Sequence, residues 1–253
     1  MSMVHFVGAG PGAADLITLR GKALLEAADV VVYAGSLVNP ALLDYTKPGC
    51  AVHNSAEMTL DEVIAVIQAA YSVGETVVRL HTGDPSVYGA IREQMDRLDA
   101  LGIEYDICPG VSSFCGAAAA LKVEYTLPGV SQTVILTRAA GRTPVPDGQD
   151  IRSLAAHGAT MVLFLSASLL AAASRDLAAG GYALDTPAAI VYKATWPDEK
   201  VVRCTVGTLA ETAAAHRIGK TALICVGRFL GDDYELSKLY APDFTTGFRA
   251  AKV

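Results

Sequence analysis

Residues 5–36 read "HFVGAGPGAADLITLRGKALLEAADVVVYAGS", and this stretch decides the fold. An apolar run ending at Val7 meets a glycine turn, a helical pattern follows from Thr18, and a second apolar run spans Val30 to Tyr33. Strand, helix and strand in that order predict two parallel strands joined by a crossover helix. Within the turn, Gly8, Gly10 and Ala13 spell Gly-x-Gly-x-x-Ala, a permitted form of the dinucleotide-binding pattern.

The surroundings of that turn speak against a phosphate. A dinucleotide fold opens the helix directly on the pyrophosphate and holds the ribose with an acid at the end of the second strand. Here the helix start is expected at Thr18, whose hydroxyl can cap it, about five residues past the last glycine of the turn. The second strand ends in Tyr33-Ala34-Gly35 with no carboxylate, and Pro11 removes one N–H that an anion would use. A tight connection with no ligand at all remains an open reading of these residues.

The same alternation continues outward. Strands are expected at Val4–Val7, Val30–Tyr33, Val77–His81 and Tyr105–Cys108, with helices from Thr59, from Val87 to Leu101 and from Ser112 to Leu121. Pro128-Gly129 marks a turn, and two α/β domains are expected, residues 1–125 and 126–253. In the second, strands are expected at Thr133–Thr137, Met161–Leu165, Ala188–Tyr192 and Ala222–Val226, with a helix from Ser168. "AIVYKATWPD" and "KVVRCTVG" read as an antiparallel hairpin, so the N-terminal sheet should be mostly parallel and the C-terminal sheet mixed.

Composition narrows the function. With 253 residues, 52% of them hydrophobic, the chain can bury a large core, and its few aromatics suit helices packed on a parallel sheet. A net charge of −6 with scattered Lys and Arg argues against nucleic acid as a partner. The apolar runs are too short to span a bilayer, and the amino terminus has no secretory signal pattern. Five cysteines without a Cys-x-x-Cys pair point to no metal site, and they fit reduced thiols in the cytoplasm.

Two further turns sit where parallel strands end. In "VVRLHTGDPSVYG", residues 77–89, Asp84 can cap a helix with Pro85 at its first position. In "CPGVSSFCG", residues 108–116, Ser112 and Ser113 stand at a helix start. Three turns on one sheet edge make a pocket there the better expectation, since open α/β sheets collect ligands at that edge.

Five stretches, "VGAGPGAADLITLRG", "YAGSLVNPALL", "RLHTGDPSVYGAIREQ", "CPGVSSF" and "TRAAGRTPVP", together resemble the tetrapyrrole (corrin/porphyrin) methylase family over nearly the whole chain. The second, third and fifth look closest to its branch that methylates ring carbon C11 of a ring-contracted, polycarboxylate tetrapyrrole. The resemblance implies two α/β domains with S-adenosylmethionine in the cleft between them, and a homodimer. Carried over by position, it implies cofactor contacts at Pro11, Thr82, Gly83, Asp84, Val87, Ser112, Ser113, Leu165, Ala194 and Ala222. Thr82-Gly83-Asp84 stands where most relatives have Gly-Gly-Asp, and Leu165 where some have Met.

For the acceptor's carboxylates, Arg138 and Arg142 are the leading candidates, because a guanidinium forks a carboxylate well. His81, Arg92, Lys193 and Arg203 stand behind these two arginines for the carboxylates, and Tyr33 and Tyr88 are candidates to face the macrocycle. No general base is assigned, although Asp84 is conceivable in that role. Two rival readings stand beside the methyltransferase: an NAD-dependent dehydrogenase using the Gly8–Ala13 loop, and a tetrapyrrole-binding module without catalysis.

Overall fold

The strand before the glycine turn, β1 (Val4–Gly8), is fully apolar on its inner positions and pairs in parallel with strands on both sides. A computed structural model describes residues 2–252. The chain forms two units: residues up to Ala120 together with Lys193–Glu199, and Leu121–Tyr192 together with the residues from Lys200 onward. The boundary expected at 125/126 is thus drawn at 120/121, and seven residues expected in the second domain cluster with the first.

In the first unit, β2 (Val30–Tyr33), β3 (Ala51–Asn54), β4 (Val77–His81) and β5 (Tyr105–Cys108) join β1 in one parallel sheet of order β3-β2-β4-β1-β5. Helix α1 (Leu19–Ala27) begins at the expected cap, with the Gly21 N–H donating to Thr18 Oγ1 at 3.0 Å. Helix α2 (Leu60–Ser72) starts with a full capping box between Thr59 and Glu62. Side chains of α2 and α3 (Arg92–Ala100) cover one face of the sheet around Phe6, Val32 and Val77, and Leu25 of α1 packs on the other around Val31 and Leu80. The Ala-rich α4 (Ser113–Leu121) follows the third turn.

One expectation fails here. The helix predicted from Val87 begins only at Arg92, because Tyr88 (φ 56°) and Ala90 (φ 50°) lie in the left-handed region that a right-handed helix forbids. Asp84 accordingly does not cap a helix with Pro85 at its first position. Its carboxylate accepts from the Ser86 N–H at 2.9 Å and closes a local turn instead.

The second unit carries a mixed sheet of order β6-β7-β10-β8-β9. Its strands are β6 (Val134–Arg138), β7 (Thr160–Phe164), β8 (Pro187–Tyr192), β9 (Lys200–Thr205) and β10 (Ala222–Val226). Only β6 and β7 are parallel, and β8–β9 is the expected hairpin, with Tyr192 opposite Lys200. The helices α5 (Ile151–Ala155), α6 (Leu170–Ala179) and α7 (Leu209–Ala215) bury Ile151, Leu170, Leu177 and Leu209 against Met161, Leu163, Ile190 and Ile224. Short α5 and α7 and the edge strand β3 carry too few periodic apolar positions to be read from sequence. Among the described residues, no helix is long and apolar enough to cross a membrane.

Candidate functional site

The three turns after β1, β4 and β5 close on one another through bare backbone. Gly10 and Gly83 form an antiparallel bridge, with N···O distances of 3.2 and 2.8 Å, and the Ala9 N–H donates to His81 O at 2.7 Å. A Cβ on Gly8 would lie 2.5 Å from Gly110 Cα and 2.7 Å from Gly83 O, so the chains approach more closely than any side chain allows. Asp84 completes the junction. Its Oδ2 accepts from the Gly110 N–H at 2.8 Å, while Oδ1 takes the Ser86 N–H and hydroxyl. Burial alone would raise the pKa of this carboxyl, but the bonds from Ser86 and Gly110 outweigh it and hold the group below its usual range.

The segment Lys193–Glu199 finishes the first turn. Thr195 Oγ1 accepts from the Ala13 N–H at 3.0 Å, and the Trp196 ring takes the space in which a Gly12 Cβ would sit, 2.1 Å from Cδ1. Lys193 (φ 47°) and Thr195 (φ 68°) adopt the left-handed conformation, strained for any residue with a Cβ and more so for a β-branched one. Lys193 is engaged by Asp198 at 2.7 Å and lies over the Trp196 ring.

Pro11, Thr82, Gly83, Asp84, Val87, Ser112, Ser113 and Ala194 therefore all belong to the first unit. Its sheet edge also opens a cavity of about 280 Å³ beside β4, lined by Thr82, Val87 and Tyr88 among others. Tyr33 is not on that wall; its ring packs with the residues around Leu25 on the opposite face of the sheet.

In the second unit, register brings the carboxyl ends of β6, β7 and β8 to the start of β10, and Arg138, Leu165 and Ala222 share that edge. Leu165 is exposed and left-handed (φ 51°), whereas Ala222 is buried. The Arg138 guanidinium donates to the carbonyls of Ala139, Thr143 and Pro144, so this arginine shapes the loop that displays the exposed Arg142. Arg203 bonds the carbonyls of Leu230 and Leu121, and Arg92 pairs with Asp96 on the surface.

Residues 3–210 match the family model described as Tetrapyrrole (Corrin/Porphyrin) Methylases. The chain belongs to this family. A cobalt-precorrin-4 C(11)-methyltransferase of Methanocaldococcus jannaschii is 52% identical over 247 residues, covering 97% of this chain and 95% of that one. The X-ray structure of a cobalamin biosynthetic enzyme, cobalt precorrin-4 methyltransferase, superposes with a TM-score of 0.89 at 47% identity, over 91% of this chain and 96% of that one. Uroporphyrin-III C-methyltransferase from Thermus thermophilus, complexed with S-adenosyl homocysteine, gives 0.76 at 26% identity, over 90% and 93%. For a tetrapyrrole methylase, the dinucleotide-like spacing of Gly8, Gly10 and Ala13 is a backbone junction. The delayed α1 and the acid-free end of β2 agree with that role.

Sequence reasoning missed two parts of the site. Thr195 and Trp196 lie in a hairpin connection with no motif to flag them. Arg79 was recoverable: in Val77-x-Arg79-x-His81, two polar residues share one face of a central strand that is otherwise a continuous apolar run.

Proposed function

We propose that the chain is an S-adenosylmethionine-dependent C-methyltransferase acting on C11 of the precorrin-4 macrocycle in cobalamin biosynthesis, with or without cobalt held in the ring. The observation that carries this reading is the 52% identity, over nearly full length, to a relative with that activity. Pro11, Thr82, Gly83, Asp84, Val87, Ser112, Ser113 and Ala194, with Leu165 and Ala222, would hold the cofactor.

The donor set suits such a ligand. The three turns contain no Lys or Arg, which suits a molecule without phosphate. A Cβ on Gly83 would meet Ser113 N at 3.4 Å and Ser112 Cα at 3.5 Å, so leaving it out keeps open the gap beside the third turn. When bound, S-adenosylmethionine supplies an electrophilic methyl group on a sulfonium sulfur. The chain's part is orientation and exclusion of water, and orientation alone can supply on the order of 7 kcal/mol. Asp84 acts as a positioning residue, because its carboxylate is taken up by donors from its own turn and the next. Arg142 is free to meet an acceptor carboxylate.

Incubating the protein with precorrin-4 and isotopically labelled S-adenosylmethionine should add one labelled methyl group to the macrocycle by mass spectrometry; no mass gain refutes the reading. Titration with S-adenosylhomocysteine and NADH separates it from a dehydrogenase. Five free cysteines support a reducing, cytoplasmic setting. The same reading includes a homodimer, which sedimentation velocity measures.

A further inference from the structure

Strand β4 runs through the middle of the first sheet, and its side chains alternate between the two faces. Val77, Arg79 and His81 share the face of Phe6, whose ring stacks on His81 at 6.0 Å. Apolar side chains fill the inner part of this face. Near its carboxyl end stand a guanidinium and an imidazole, only 6% and 4% exposed.

Neither polar group is fully answered. Arg79 donates from Nε to Gln94 Oε1 at 2.9 Å and from Nη1 to Val32 O at 3.1 Å, but both acceptors are neutral. Among the described residues, no carboxylate pairs with Arg79. His81 Nε2 is buried without a hydrogen-bond partner. Burial lowers the Arg79 pKa to about 10, and burial with the Arg79 charge takes that of His81 down to about 3. At neutral pH the arginine is therefore charged and the histidine neutral. An unpaired buried cation and an unmet buried nitrogen are each costly, and such features persist where a ligand answers them.

Both side chains line the cavity of about 280 Å³, together with Ser55, Thr59 and Tyr88. Glu93 is the one carboxylate on the wall among the described residues, and it is exposed. The interior is thus a pocket for negative charge that contains none.

We propose that this cavity is the subsite for one carboxylate arm of the tetrapyrrole acceptor, with the arm accepting from His81 and lying against the Arg79 guanidinium. The proposal rests on the methyltransferase reading and adds a place for the acceptor on the β2–β3 side of β4. A carboxylate could also come from the amino-acid end of the cofactor, so the test separates the two sources.

Uroporphyrin, a stable octacarboxylate, and its neutral octamethyl ester serve as acceptor probes, and S-adenosylhomocysteine serves as the cofactor probe. Wild type should bind the acid more tightly than the ester. His81→Leu should weaken the acid about tenfold, the scale of a hydrogen bond to a charged group, and leave S-adenosylhomocysteine unchanged. His81→Gln, which keeps an N–H donor, should recover most of the loss. S-adenosylhomocysteine binding also reports that each variant is folded. Unchanged acid affinity in His81→Leu overturns the subsite and leaves the methyltransferase reading standing. A loss confined to S-adenosylhomocysteine assigns the carboxylate to the cofactor and overturns the acceptor assignment. A wild type that binds S-adenosylhomocysteine but neither porphyrin overturns the subsite and the acceptor class together.

Discussion

Replacing Asp84 with asparagine tests the junction of the three turns. The carboxylate serves two sides at once: Oδ2 takes the Gly110 N–H at 2.8 Å, and Oδ1 takes the Ser86 N–H at 2.9 Å and its hydroxyl. Asparagine has one acceptor oxygen, so an amide NH₂ must face either Gly110 or Ser86, donor against donor. Losing one hydrogen bond to a charged group costs about 2 kcal/mol. For a chain of this size that lowers Tm by about 4–8 °C.

The pH dependence has a fixed sign. The folded pKa of Asp84 is depressed, so its contribution is complete above the unfolded carboxylate pKa of about 4 and is lost as pH falls through the lower folded value. Urea denaturation of wild type and Asp84→Asn should therefore show the full gap at pH 7 and a smaller one near pH 3. Because Asp84 positions the turns, KM for S-adenosylmethionine should rise while KM for the acceptor holds. A gap that is absent at pH 7, or equal at both pH values, refutes the reasoning.

Gly12→Ala places a Cβ 2.1 Å from Trp196 Cδ1 and 2.7 Å from Ala194 O, so the indole must move. Trp196 is the only tryptophan in the chain, so a red shift of intrinsic emission and a loss of about 1–3 kcal/mol in urea denaturation should report it. Arg142→Ala should raise the acceptor KM and spare the cofactor KM, as measured by initial rates. Arg138→Ala should instead loosen residues 139–144, measured as faster proteolysis in that loop.

The parallel first sheet was legible because its strands are continuous apolar runs separated by glycine turns and a capped helix at Thr18. The hairpin and the mixed order of the second sheet followed from two strands too close in sequence for a crossover. The failure at Val87–Ile91 is instructive. Residues of ordinary helix propensity are held there in two left-handed positions, by tertiary packing that periodicity does not register. The site divides in the same way. Glycines that permit backbone contact leave a mark in sequence, whereas the Trp196 that fills the space beside Gly12 comes from a connection far along the chain. Tyr33 shows the limit of reading a strand end, where the parity of one residue decides which face receives the ring.

The return of Lys193–Glu199 to the first unit makes that unit discontinuous in sequence. A fragment ending at Ala120 would lack the acceptor for the Ala13 N–H and the indole beside Gly12. Recombining halves from two methylases at that boundary would consequently pair one parent's glycine loop with the other parent's hairpin tip. A workable chimera has to transplant Lys193–Glu199 with the loop it covers, so the heritable module is two pieces of chain.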